Sequence, residues 1–233
     1  MNLYNSPADG ARIGGDWCAA FMLPDRTVAL TIGDVTGHGE LAADTMAVLR
    51  SAIVSAMRDH QSPVAVLSMA NAIAFDRGSI VTALVALLDR QRGTLTIANA
   101  GHPPPLIVTT DRHRFVQYGV GDFPLGIFPK HYTIEHTAVV SPDAMIVLYT
   151  DGFTENTRDL LHDERWFVDA SRAAYDRPAD DVADAIAQHV FRNGRGHDDA
   201  AMVVAHASPS TRWKRRGARR SEQTFASLNA TLV

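Results

Sequence analysis

Val28-Ala29-Leu30-Thr31-Ile32-Gly33-Asp34-Val35-Thr36-Gly37-His38-Gly39 is the stretch that decides how this chain is read. Its opening residues, Val28 to Ile32, are a short apolar run bounded by turn residues, which predicts a buried strand. The glycines that follow let backbone and ligand approach closely, so Asp34 stands where a core strand breaks into a loop. The pattern recurs. Ala144-Met145-Ile146-Val147-Leu148-Tyr149 runs into Thr150-Asp151-Gly152, Gly14-Gly15-Asp16 lies on a third strand, and Asp198 precedes the apolar run Ala200 to Ala205. Side chains alternate with period two along a strand, which puts Arg12, Gly14 and Asp16 on one face. Asp beside Gly is ordinary turn chemistry, and each acid alone is accounted for as a solvated turn residue. Asp16, Asp34, Asp151 and Asp198 together, each at the end of a separate strand, point to convergence.

Convergence of carboxylates has a chemical meaning. Hard divalent cations such as Mg²⁺ and Mn²⁺ prefer carboxylate, carbonyl and water oxygens, and four such acids make a binuclear site. Two divalent cations balance four carboxylates, so the loaded site does not repel a phosphate as bare acids would.

Working outward, strands are expected over 11–22, 27–34, 79–89, 94–99, 104–109, 131–139, 144–150 and 199–206, several joined by short turns that favour antiparallel pairing. Met46, Leu49, Ile53 and Met57 recur at three- and four-residue spacing and predict a helix over 41–59. A second helix runs from Pro63 to Phe75 with proline in its first turn, and a third covers 179–192. Hairpins with tandem helices indicate an α+β fold.

The chain has 233 residues, 46% of them hydrophobic, enough for one large core. No run reaches the ~18 apolar residues of a membrane helix, and no signal-peptide core follows Met1, so a cytoplasmic protein with no membrane contact is expected. The single cysteine, Cys18, excludes an intramolecular disulfide and a thiolate zinc cage; among Trp17, Ala19, Ala20 and Phe21 it reads as a small buried hydrophobe. Charge is uneven: Arg212, Lys214, Arg215, Arg216, Arg219 and Arg220 follow Ala207 with only Glu222 opposing them. Residues 1–207 are therefore read as one folded domain and 208–233 as a basic, disordered tail, in preference to a nucleic-acid arm because only Trp213 interleaves an aromatic with the charges.

Six ordered motifs carry a resemblance: Gly14-Gly15-Asp16-Trp17, Ile32 to Gly39, Ala98-Asn99-Ala100-Gly101-His102-Pro103-Pro104-Pro105-Leu106, Pro124-Leu125-Gly126, Leu148 to Gly152 and His197-Asp198-Asp199. In this order they resemble the bacterial branch of the PPM-type metal-dependent serine/threonine phosphatases, the stage II sporulation and RsbU-like phosphatases, from about Leu3 to Ala207. The resemblance implies two antiparallel sheets face to face, flanked by helices in α-β-β-α layers, with two Mg²⁺ or Mn²⁺ ions at one end. It implies a water-based hydrolysis of phosphoserine or phosphothreonine, on a phosphorylated anti-sigma-factor antagonist in a partner-switching pathway. Asp34 corresponds to the acid that bridges both metals and Val35 to a backbone carbonyl ligand. Asp16 supports the first metal, directly or through water, and Asp151 and Asp198 the second. Asp199, next to the last ligand, is read as supporting the ligands from behind.

Other positions are left with two readings. His38 matches a glycine-flanked histidine thought to protonate the leaving alkoxide, or else structures its loop. Arg12 lies near a phosphate-binding arginine of relatives, or is simply exposed. His102 stands where eukaryotic members carry a third-metal aspartate, and with the prolines after it fixes a loop near the site. Relatives commonly read Tyr-Asp where this chain has Cys18-Ala19, and usually carry a sensor domain ahead of the catalytic domain. Either the stretch is a fragment or a separate activator protein regulates it. A non-catalytic pseudophosphatase that binds a phosphoprotein is the alternative function, against which the retention of all four acids argues.

Overall fold

A computed structural model of the chain describes residues 1–8, 14–59, 61–116, 123–157, 159–192, 194 and 198–207. Arg12 and the basic stretch 208–233 lie outside the described residues. One antiparallel sheet orders its strands β2 (Asp16–Met22), β3 (Val28–Val35), β4 (Val81–Asp89), β5 (Thr94–Ala100) and β8 (His136–Val139). The other orders β1 (Asn2–Ser6), β10 (Ala200–His206), β9 (Met145–Tyr149), β6 (Leu106–Val108) and β7 (His113–Phe115).

Period-two alternation builds the layers. Leu30 and Ile32 on β3, Leu84 and Ala86 on β4, Ile146 and Leu148 on β9 and Ala201 and Val203 on β10 meet between the sheets in a dry inner core. Alternate residues of the first sheet, among them Trp17, Val35, Val81 and Val85, pack on Leu49, Ile53, Val66 and Leu67 of helices α1 (Glu40–Arg58) and α2 (Pro63–Asp76). Alternate residues of the second, among them Val147, Tyr149 and Met202, pack on Phe167, Val182 and Ile186 of α3 (Leu160–Ala174) and α4 (Val182–Val190). The layers run α-β-β-α.

Local chemistry sets the element ends. The Ser62 hydroxyl caps α2 by accepting from the Ala65 N–H at 3.3 Å, with Pro63 in the first turn. Asp159 caps α3 by accepting from the His162 N–H at 3.1 Å. The β2–β3 hairpin closes through Leu23 N–H to Thr27 O at 2.8 Å, with Arg26 at a φ of 70°.

Three elements, β1, β7 and α3, go beyond the expected set, and the strand expected over 131–139 contracts to His136–Val139. Residues ahead of it fold back instead: His131 Nε2 lies 2.8 Å from Phe123 O, and the Thr133 hydroxyl donates to Asn99 O at 3.2 Å. Among the described residues no helix is long and apolar enough to cross a membrane.

Candidate metal centre

The inner face of the sandwich turns polar at one end. Along β3 it carries Val28, Leu30 and Ile32 and then Asp34, whose cross-strand partners are Asp16 on β2 and Thr82 on β4. From the opposing sheet, β9 continues Ile146 and Leu148 into Thr150, and Asp151 opens a single 3-10 turn, Asp151–Phe153. Asp199 stands two residues before inward-facing Ala201, ahead of the first residue of β10. Acids from both sheets therefore close the end of an apolar layer.

Their electrostatics reflect burial and mutual repulsion. Burial and the neighbouring Asp34 push the Asp16 carboxyl strongly up, and Asp199 adds to the rise. Asp34 is raised by burial and by Asp198 and Asp199, while hydrogen bonding with Asp16 pulls the other way. Asp151 is pushed up to about 6 by burial, Asp34, Asp198 and Glu155. Among the described residues the ion pairs are Arg77–Asp44 and Arg92–Asp89, so none of the clustered acids has a cationic partner.

The surrounding groups take distinct positions. Both Asp199 oxygens accept main-chain N–H groups, from Ala8 at 2.7 Å and from Gly15 at 2.6 Å, so this carboxylate clamps the approach to Asp16. A Cβ on Gly15 would stand 2.7 Å from Val35 O, so the glycine keeps that carbonyl uncovered. A Cβ on Gly152 would run into Asp199 O, so the two acidic loops touch main chain to main chain. Asp198 is exposed, and its Oδ1 accepts the Asp199 N–H at 2.8 Å. His38 is exposed in the turn between β3 and α1.

His102 is buried at 5% exposure, with Nε2 3.1 Å from Tyr149 O and Nδ1 2.9 Å from Thr82 Oγ1. Both ring nitrogens are occupied, which leaves neither for a phosphate, and burial pulls the ring down to about 3. Asp16, Asp34, Asp151 and Asp198 are thus brought to one end with Val35 and Asp199, and His102 sits behind them.

Two participants were not anticipated. Glu155, four residues after Asp151, adds charge beside it, a signal visible in the spacing Asp151-Gly152-Phe153-Thr154-Glu155. Thr150 is fully buried; its hydroxyl donates to Asp16 Oδ2 at 2.7 Å and accepts the Ala201 N–H at 2.9 Å. No local pattern marks that threonine, because its partners lie on other strands.

Among the described residues no three His, Cys, Asp or Glu side chains surround a common point at ligand distance as they stand. The donor chemistry nonetheless fits a hard divalent cation: carboxylates with no counter-charge among the described residues, a main-chain carbonyl beside them, and the one cysteine sealed away, Cys18 being buried.

The family model described as stage II sporulation protein E (SpoIIE) matches residues 24–208. The chain belongs to this family. It is 26% identical over 138 residues to the phosphoserine phosphatase RsbU of Bacillus subtilis, covering 58% of this chain and 41% of RsbU. The crystal structure of the RsbU and RsbW domains of Rv1364c from Mycobacterium tuberculosis superposes with a TM-score of 0.79 at 28% identity, over 90% of this chain and 60% of that one. The PP2C phosphatase domain of SpoIIE from Bacillus subtilis superposes equally well, with a TM-score of 0.79 at 19% identity over 90% of this chain and 62% of that one, a likeness of fold. The chain spans 27% to 41% of the length of the curated relatives it matches. The SpoIIE-family chain thus has the α+β sandwich of PP2C domains, and its relatives include serine phosphatases.

Proposed function

We propose that this SpoIIE-family chain is a metal-dependent phosphatase that hydrolyses phosphoserine or phosphothreonine in a protein. The observation that carries the reading is the acid cluster at the sandwich end, of which Asp16, Asp34 and Asp151 are raised by burial and by neighbouring acids, with no cationic partner among the described residues. Carboxylates perturbed by burial and by one another mark a functional site, and a divalent cation is the counter-charge that would offset them.

Asp34 would bridge two Mg²⁺ or Mn²⁺ ions, with Asp16 and the Val35 carbonyl on the first and Asp151 and Asp198 on the second. When bound, the ions supply a water ionised near neutral pH and positive charge against the phosphate oxygens. Asp199, committed to the Ala8 and Gly15 amides, holds the Asp16 segment in place. The dry core between the sheets keeps bulk water from the rear of the site. His38, exposed on the turn after Asp34, would hand a proton to the departing serine oxygen.

The substrate in this reading is a phosphorylated anti-sigma-factor antagonist, with activation from a separate protein or from a domain outside this stretch, in the cytoplasm; the likeness to the phosphoserine phosphatase RsbU supports phosphoserine as the group hydrolysed. The test is phosphate release from a phosphoserine protein by wild type and by Asp151→Ala with Mg²⁺ or Mn²⁺. Release by wild type that rises above neutral pH, lost in the variant with its fold intact, is expected. Binding of the phosphoprotein without release at any pH would replace the enzyme by a binding module.

A further inference from the structure

The acids belong to two sheets. Asp16 and Asp34 stand on one, Asp151 follows a strand of the other, and an apolar layer lies between. Apolar burial is non-directional: it holds sheets together and is nearly indifferent to a slide of a fraction of an ångström. A site that holds ions needs its groups fixed to about 0.5 Å. Something directional must therefore cross between the sheets at the acid end.

Two buried bridges do so. In the first, the Thr150 hydroxyl at the end of β9 donates to Asp16 Oδ2 at 2.7 Å and accepts the Ala201 N–H at 2.9 Å. In the second, the His102 ring spans from Tyr149 O, at 3.1 Å, to Thr82 Oγ1, at 2.9 Å. A carbonyl only accepts, so Nε2 carries the ring proton and Nδ1 accepts from the Thr82 hydroxyl. Thr82 is the cross-strand partner of Asp34, and Tyr149 is the second residue before Asp151. The ring itself is fixed, because the Asn99 side chain both accepts the His102 N–H and donates to His102 O, each at 2.8 Å.

We propose that Thr150 and His102 are positioning residues: two directional struts between the sheets that set the separation of the Asp16–Asp34 pair from Asp151. The inference rests on the metal-dependent reading above. Hydrogen bonds weaken steeply with stretch and angle, so each strut resists the slide that the apolar layer permits. Both meet at Tyr149-Thr150, next to Asp151. Loss of one strut leaves every acid in the chain and the Gly15–Asp199 contact in place, and loosens the relation between the two groups.

The experiment is Mn²⁺ titration by calorimetry on the full chain, well below its melting temperature, with Thr150→Val, Thr150→Ser and Thr82→Val. Groups that orient metal ligands typically contribute tenfold to a hundredfold in affinity. Thr150→Val and Thr82→Val are each expected to weaken Mn²⁺ binding at least about tenfold, while Thr150→Ser, which keeps the hydroxyl, stays close to wild type. Valine at 82 keeps the shape of a β-branched strand residue, so that variant decides the matter even if Thr150→Val fails to fold. Wild-type affinity in folded Thr82→Val and Thr150→Val would overturn the struts and leave the phosphatase reading standing. Wild type that binds neither Mn²⁺ nor Mg²⁺ would overturn both.

Discussion

Replacing Asp151 by asparagine should stabilise the protein in EDTA and reduce its response to Mn²⁺. In the folded chain the Asp151 carboxyl is raised from 3.8 to about 6 by burial and by Asp34, Asp198 and Glu155. A rise of that size corresponds to about 3 kcal/mol of folded-state cost once the group is ionised. Partial exposure and solvent screening reduce this to about 2 kcal/mol. For a domain of this size that is a gain of about 4 to 8 °C in Tm. The sign depends on pH in a checkable way. A raised carboxyl binds more protons folded than unfolded, so its cost is absent below pH 3.8 and grows as pH rises through about 6. Calorimetric melts of wild type and Asp151→Asn in EDTA should therefore differ at pH 8 and coincide at pH 3.5. With Mn²⁺ at pH 8 the order inverts, because only wild type gains RT ln(1 + [L]/Kd) from the full site. An Asp151→Asn variant that melts below wild type in EDTA at pH 8, or gains as much from Mn²⁺, would refute the reasoning.

Asp34→Asn should abolish phosphate release, while Asp16→Asn should be partly restored by excess Mn²⁺ if its link to the ion runs through water; equal, metal-insensitive loss in the two would remove the distinction. The rise in Tm with Mn²⁺ should grow from pH 5 to pH 8, since protons compete for Asp16, Asp34 and Asp151, all raised; a shift independent of pH would place the ion elsewhere. Burial holds the His102 ring neutral down to about 3 against 6.5 in the unfolded chain, so its contribution is complete above pH 6.5 and lost as pH falls towards 3. His102→Gln should accordingly flatten the acid limb of a stability profile, which an unchanged limb would contradict. Gly152→Ala should weaken Mn²⁺ binding in calorimetry although it changes no polar group, because its Cβ runs into Asp199 O; unaltered affinity would mean that the loop yields freely.

The layers of the fold were legible because their strands are long apolar runs. The elements that escaped are the ones whose burial is carried by few or small residues. β1 alternates half-buried and exposed positions over Asn2–Ser6, and β7 is the three residues His113–Phe115 at a sheet edge. The buried face of α3 includes Asp163 and Ser171 and the small Ala170 and Ala174, so its large apolar residues are few, Phe167 and Val168 with Trp166 half-buried beside them. Asp163 is a polar residue in a core position because it accepts both the N–H and the hydroxyl of Thr157, at 2.6 and 2.8 Å. The placement of the acids at strand ends was legible for the same reason as the strands, since Asp34 and Asp151 stand at the end of an apolar run and Asp16 and Asp198 ahead of one. Thr150, Thr82 and the orientation of His102 were not, because their meaning depends on which strands of the two sheets face each other.

The order β1-β10-β9 has a consequence for how the molecule assembles. The last strand in chain order fills the gap between the first and the ninth, and its register with them, Leu3 to Val203 and Val203 to Leu148, spans nearly the whole described chain. Until residues 198–206 have left the ribosome, β1 has no partner, the inner core lacks Ala201 and Val203, and the Thr150 hydroxyl has no Ala201 amide to accept. Such long sequence separation makes closure late and slow compared with hairpin formation. Asp198 and Asp199 arrive with the same strand, so a nascent or truncated chain cannot complete the acid cluster ahead of the fold.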